Sequence, residues 1–183
     1  MSALHVPVRT RVDVSAASIA VLRIATGLLF LWAFFDKAFG LGYATQSKNA
    51  WFSGGSPTKG FLGHVDVGPF QSMFQDWAGT WWADTLFMVG LLAIGLALVL
   101  GIGLRITAVA GTLMMLLMWA AEWPPAQHNA AGEATSSTNP LIDYHIVYAL
   151  VLIVVAATAS TAVWSLSRWW AELPFVRSNT WLK

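Results

Sequence analysis

Long apolar runs alternate along the chain with short polar or glycine- and proline-rich breaks. Four of the runs last about 20 residues, the length a helix needs to cross a bilayer core. They extend over roughly Ala17 to Phe39, Asp84 to Gly101, Leu104 to Trp123 and Leu141 to Trp164. The breaks are a glycine-rich stretch after Phe39, the turn Gly101-Ile102-Gly103, and Pro124-Pro125 followed by a polar segment closing at Pro140. The pattern predicts an all-α integral membrane protein, a single membrane domain over 1–183 built as a four-transmembrane-helix bundle. A long extracytoplasmic loop, 40–83, joins the first two helices, and 165–183 forms a tail.

That loop has structure of its own. In GPFQSMFQDWAGTWW, Phe70, Phe74, Trp77 and Trp81 fall on one helical face. The spacing predicts an amphipathic helix lying in the membrane interface, as an anchor or as a lid over the bundle. The preceding WFSGGSPTKGFLGHVDVGP is set by its glycines and prolines into tight turns. It is not a phosphate loop, because the spacing G-x-x-x-x-G-K-[ST] is absent and no strand precedes it.

Composition narrows the class. Of 183 residues, 57% are hydrophobic and 10% charged, against about 25% charged in soluble domains. With a formal net charge of +1 and scattered Lys and Arg, the chain has no basic block for nucleic acid. The absence of cysteine excludes disulfides, thiolate metal sites, cysteine-ligated iron–sulfur clusters and catalytic thiols. Redox chemistry would therefore need a bound cofactor or a partner. Arg9 and Arg11 before an apolar run imitate a signal peptide, but the run is long and ends in Asp36-Lys37-Ala38-Phe39 without a small-residue cleavage site. An uncleaved first helix is expected.

Basic residues orient the bundle. Arg9, Arg11, Arg105, Arg168, Arg177 and Lys183 fall on one side, while the other holds Lys48 and Lys59 in its long loop and no Lys or Arg between Arg105 and Arg168. The positive-inside rule then predicts a multi-pass protein of the plasma (inner) membrane with both termini cytoplasmic. On the outer side this topology gathers Asp36 and Lys37, Asp84, Glu122, and Asp143 with His145. Charges and aromatics at helix ends also mark the membrane boundary, so the surplus signal is the acids and His145. Within the first helix, Gly27, Phe30, Phe34 and Lys37 lie within about 40° of Arg23 and Asp36 points nearly opposite. Arg23 and Lys37 are ~21 Å apart along the axis, too far to form one site. Arg23 is expected to bond helix-end carbonyls near the 101–105 turn or to reach lipid phosphates.

A quinone fits these residues best. Its ring needs an apolar, aromatic-lined slot open to lipid, with a hydrogen-bond donor and a proton-exchanging group near the surface. His145, Asp143 and Glu122 are the candidate catalytic groups, and Lys37, Tyr148, Trp119 and Trp123 the candidate substrate- or quinone-binding ones. Intrinsic haem is not expected, since His5, His64 and His128 lie in soluble segments. No local ligand spacing supports a metal site, although His64, His128 and His145 could converge with Glu122 or Asp143.

The opening helix Leu22-Arg23-x-x-x-Gly27 running to Lys37, and the loop Trp51 to Leu62 with Gly-Ser-Pro-Thr-Lys-Gly-Phe-Leu, resemble the DoxX/DoxD family of four-helix membrane proteins. The resemblance spans nearly the whole chain, with Arg23, Gly27 and Lys37 as family-pattern positions. It implies the membrane subunit of a quinone-linked oxidoreductase, of the thiosulfate:quinone type, working in the bilayer with a separate partner subunit. The alternative is a non-catalytic accessory subunit of a larger respiratory or redox complex. The small-residue stretch Ala156 to Thr161 and the tryptophan-bearing tail suit the accessory role. A transporter is disfavoured, because the middles of the second, third and fourth helices carry no ionisable residue.

Overall fold

The computed structural model describes residues 13–159 and 162–182. The expectations resting on His5, Arg9, Arg11, Ser160, Thr161 and Lys183 lie outside the described residues. Helices α1 (Val14–Phe39), α2 (Lys59–Leu62), α3 (Gln71–Trp77), α4 (Trp81–Leu100), α5 (Leu104–Glu122), α6 (Tyr144–Ala157), α7 (Ser167–Glu172) and α8 (Pro174–Arg177) follow in order. There is no β-strand among the described residues.

Three helices, α1, α4 and α5, are long and apolar enough to cross a membrane. Their ends are set by local chemistry. Asp13 caps α1 by accepting from the Ser15 amide at 2.9 Å. Gly101 and Gly103 take positive φ, 68° and 55°, and so make the reversal between α4 and α5 in a region that favours glycine. At the far end of α5 the chain leaves the helix at Trp123, itself at φ 43°, just before Pro124-Pro125.

The fourth apolar run is narrower as a helix than the hydropathy pattern predicts. Asp143 begins α6 by accepting from the Ile146 amide at 3.1 Å, so 141–143 stay outside it. At the other end the Thr158 hydroxyl turns back onto the Val154 carbonyl at 2.8 Å. The resulting 14 residues rise about 21 Å, less than the ~30 Å hydrocarbon core.

The bundle is two close pairs, α1 with α4 and α5 with α6, with α4 and α5 touching less. Where α1 crosses α4, Gly27 and Gly95 remove side chains from the contact. A Cβ on Gly27 would come within 2.9 Å of the Gly95 carbonyl, and one on Gly95 within 2.7 Å of Leu31. Phe30, Phe34, Met88, Leu91, Ile94, Leu98, Met115 and Leu152 fill the core between the pairs. Many other apolar side chains point outward, among them Leu28, Leu86, Val109, Leu113 and Leu150, as lipid-facing positions do.

Arg23 fastens the end of the bundle where α4 turns into α5. It is 1% exposed. Its guanidinium donates to the Leu98 carbonyl, to Val99 at 3.1 Å, to Val163 at 3.2 Å and to Trp164 at 2.8 Å. Trp164 holds φ at 52°, and Gly101 leaves room where a Cβ would sit 2.7 Å from the Arg23 Nη1. The guanidinium therefore ties α1 to the end of α4 and to the chain beyond α6.

Between α1 and α4 the connection folds back over the opposite end. Asp36, which helical geometry directs away from Arg23, is buried rather than at a wetted boundary, and it accepts the amides of Tyr43 at 3.3 Å and Ala44 at 3.0 Å. Asp84 accepts from the Ser56 hydroxyl at 2.9 Å and from both the amide and hydroxyl of Thr58 at 2.9 and 2.6 Å. Val65, Phe74 and Ala121 form a second small core under this cap, with Phe61, Leu62 and Trp77 against it. The single aromatic face expected over 70–81 is broken: α3 ends at Trp77, Gly79 takes φ 75°, and Trp81, itself 80% exposed, opens α4.

Candidate functional site at the capped end of the bundle

Between α4 and α5, which touch each other less than either touches its closer partner, lies a cavity of about 420 Å³ near the capped end. Leu86, Phe87, Gly90 and Ile94 line it from α4, and Ala110, Leu113, Met114, Leu117 and Met118 from α5. Phe61, Leu62, Phe74 and Trp77 of the cap close it above. The strongly exposed Leu86 and Leu113 form its rim, so it opens sideways, through the face that apolar side chains turn outward. Its ionisable groups are Lys37, Glu122 and Tyr144.

A second cavity, of about 600 Å³, lies beside the first and differs in character. Asp66, Asn129, Thr135, Ser137, Asn139 and Asp143 line it, so it is polar. Glu122 and Tyr144 line both cavities and form the wall between them. The wall is held by a hydrogen bond, 2.7 Å from the Tyr144 hydroxyl to Glu122 Oε1.

Behind that wall sits His145, 1% exposed. Its Nδ1 is 2.8 Å from Asp143 Oδ2 and 3.9 Å from Glu122 Oε2. Its ring lies 4.0 Å from that of Tyr144. The other nitrogen, Nε2, is buried with no hydrogen-bond partner among the described residues. Asp143 does two jobs, since its Oδ1 caps α6 while its Oδ2 faces the imidazole. The facing ends of the consecutive helices α5 and α6 therefore bring Glu122, Asp143 and His145 to one point.

Other residues singled out by sequence fall elsewhere. Trp119 and Trp123 pack edge to face at 5.6 Å, and the Trp119 Nε1 donates to the Leu141 carbonyl at 3.2 Å. Neither lines the apolar cavity. Tyr148 packs on the core cluster, 6.1 Å from the Tyr144 ring, and is also absent from the cavity wall. His64 is exposed and its Nδ1 pairs with the Gly60 carbonyl at 2.7 Å, away from His145. Arg23 and Gly27 belong to the packing of α1 on α4. Sequence reasoning passed over Tyr144 as a site residue, although it directly precedes His145 and shares its helix turn. Comparison with family models, with curated proteins and with solved structures finds no match.

Proposed function

We propose that the chain is the membrane subunit of a quinone-linked oxidoreductase of the DoxX/DoxD type, with α6 and its flanks as a fourth span. In this reading both termini are cytoplasmic and the cap lies on the outer face of the plasma membrane. The observation that carries the reading is the sideways-opening apolar cavity between α4 and α5, with Lys37, Glu122 and Tyr144 among its walls.

A quinone couples an apolar tail to a ring bearing two carbonyl acceptors. The tail suits the rim of Leu86 and Leu113, and Phe61, Phe74, Trp77 and Met114 suit the ring. Lys37 has no carboxylate within ion-pair distance among the described residues, which leaves its ammonium able to donate to a ring carbonyl. Reduction of a quinone takes two electrons and two protons. The electrons require a separate partner subunit, since the chain has no cysteine for a cluster or thiol of its own. The protons have a short route from the polar cavity, which shares the Glu122–Tyr144 wall. Asp143 and His145 stand behind that wall as the remaining polar groups of the site.

A photoreactive quinone analogue tests this reading. Irradiation in membranes should label peptides containing residues 82–94 and 110–122, and excess unlabelled quinone should suppress the labelling. Labelling that falls elsewhere, or that excess quinone does not reduce, would contradict it.

A further inference from the structure

We infer that Glu122, Asp143 and His145 bind a divalent first-row transition-metal ion at the polar end of the apolar cavity. The inference does not depend on the quinone reading. One atom from each residue, a carboxylate oxygen from Glu122 and Asp143 and a ring nitrogen from His145, lies within 4.8 Å of the other two. A single ion can reach all three with little movement. Each carboxylate has one oxygen pinned by a donor outside the cluster, Glu122 Oε1 by the Tyr144 hydroxyl and Asp143 Oδ1 by the Ile146 amide. The second oxygen of each is thereby turned toward the imidazole, which is the orienting role that outer partners play around metal ligands.

Charge and burial point the same way. Two carboxylates converge with no Lys or Arg paired to either among the described residues. The group they face is an imidazole 1% exposed, aimed into the cluster through Nδ1, and neither ring nitrogen has a hydrogen-bond partner outside the cluster among the described residues. One imidazole nitrogen with two carboxylate oxygens suits zinc, manganese or ferrous iron, whereas calcium and magnesium take oxygen ligands. Three protein ligands leave a coordination position on the side of the polar cavity, where Asp143 and Glu122 are exposed to it.

The test uses the full chain purified in detergent without chelator, its metal content measured by plasma mass spectrometry. The chain is then stripped and titrated with Zn2+, and with Co2+ followed by its visible absorption. The expected result is about one ion per chain and a Co2+ spectrum of low-symmetry nitrogen and oxygen ligation. Glu122→Gln keeps an acceptor for Tyr144 and Asp143→Asn keeps a capping oxygen, so both variants should fold. Each should weaken binding at least about tenfold, the scale on which even outer partners of a metal act. Asp66→Asn, elsewhere on the polar cavity, should leave it unchanged. A wild-type chain that binds neither Zn2+ nor Co2+, or that binds them equally well in both variants, would overturn the inference. Quinone measured in the same preparations keeps the two proposals apart, since loss of one ligand with retention of the other sinks only one of them.

Discussion

The two ends of the bundle treat buried charge in opposite ways. At the α4–α5 turn, Arg23 is enclosed and its guanidinium meets four carbonyls from two other segments. At the capped end, His145 is equally enclosed but one of its nitrogens has no partner among the described residues, and the two carboxylates near it have no Lys or Arg beside them. A charge saturated by backbone holds a fold together. The His145 cluster has bonding capacity that the described fold does not use. The capped end also contains the first kind, because Asp84 and Asp36 are satisfied by the cap, so the contrast is between roles and not simply between ends.

The largest effect should come from Arg23→Leu, which strands the carbonyls of Leu98, Val99, Val163 and Trp164. Bonds to a charged group contribute about 1.5–3 kcal/mol each, so the loss should be at least ~3 kcal/mol in detergent unfolding, with Arg23→Lys recovering part of it. If the Leu variant unfolds like the parent, the turn end is not fastened by this group. Gly27→Val comes next, since overpacking a tight contact costs about 1–3 kcal/mol. It should lower the unfolding midpoint through α1 and α4 while leaving the ligand properties of the capped end intact in the folded fraction.

Asp84→Ala should cost a similar or smaller amount, about 1–3 kcal/mol for groups left without partners. Its signature is local: protease should cut the connection between α1 and α4 sooner than the bundle melts. Simultaneous loss would mean that the cap and the bundle are one cooperative unit. The smallest stability effect belongs to Glu122→Gln, a near-isosteric change at an exposed position, within ~0.5 kcal/mol. Its ligand binding should nonetheless fall, and a variant that loses stability instead would place Glu122 with the fastening charges.

These differences explain what the sequence could disclose. The first three spans are legible to within a few residues because glycine, proline and hydropathy set their limits locally. The limits of α6 depend on a single capping carboxylate and a back-bonded threonine, which apolar content does not report. Glu122, Asp143 and His145 could be picked out because charge is rare in this chain and lies at helix ends. Their convergence, the Tyr144 bond to Glu122, and the cavity walled by Gly90, Ala110 and Met114 depend on how α4, α5 and α6 are spaced. No single helix encodes that spacing. Trp119, Trp123 and Tyr148 lie near the same helix ends, but none of them lines the cavity.

The central claim, that the cavity between α4 and α5 is a quinone site, is tested most directly by filling it. Ala110 lines the cavity from an exposed position on α5, so Ala110→Phe can occupy the space without disturbing the core. Quinone extracted from purified parent and variant should be about one per chain in the parent and largely lost in the variant, with unchanged unfolding midpoints. Equal quinone in both, or none in the parent purified gently from its own membranes, would contradict the account.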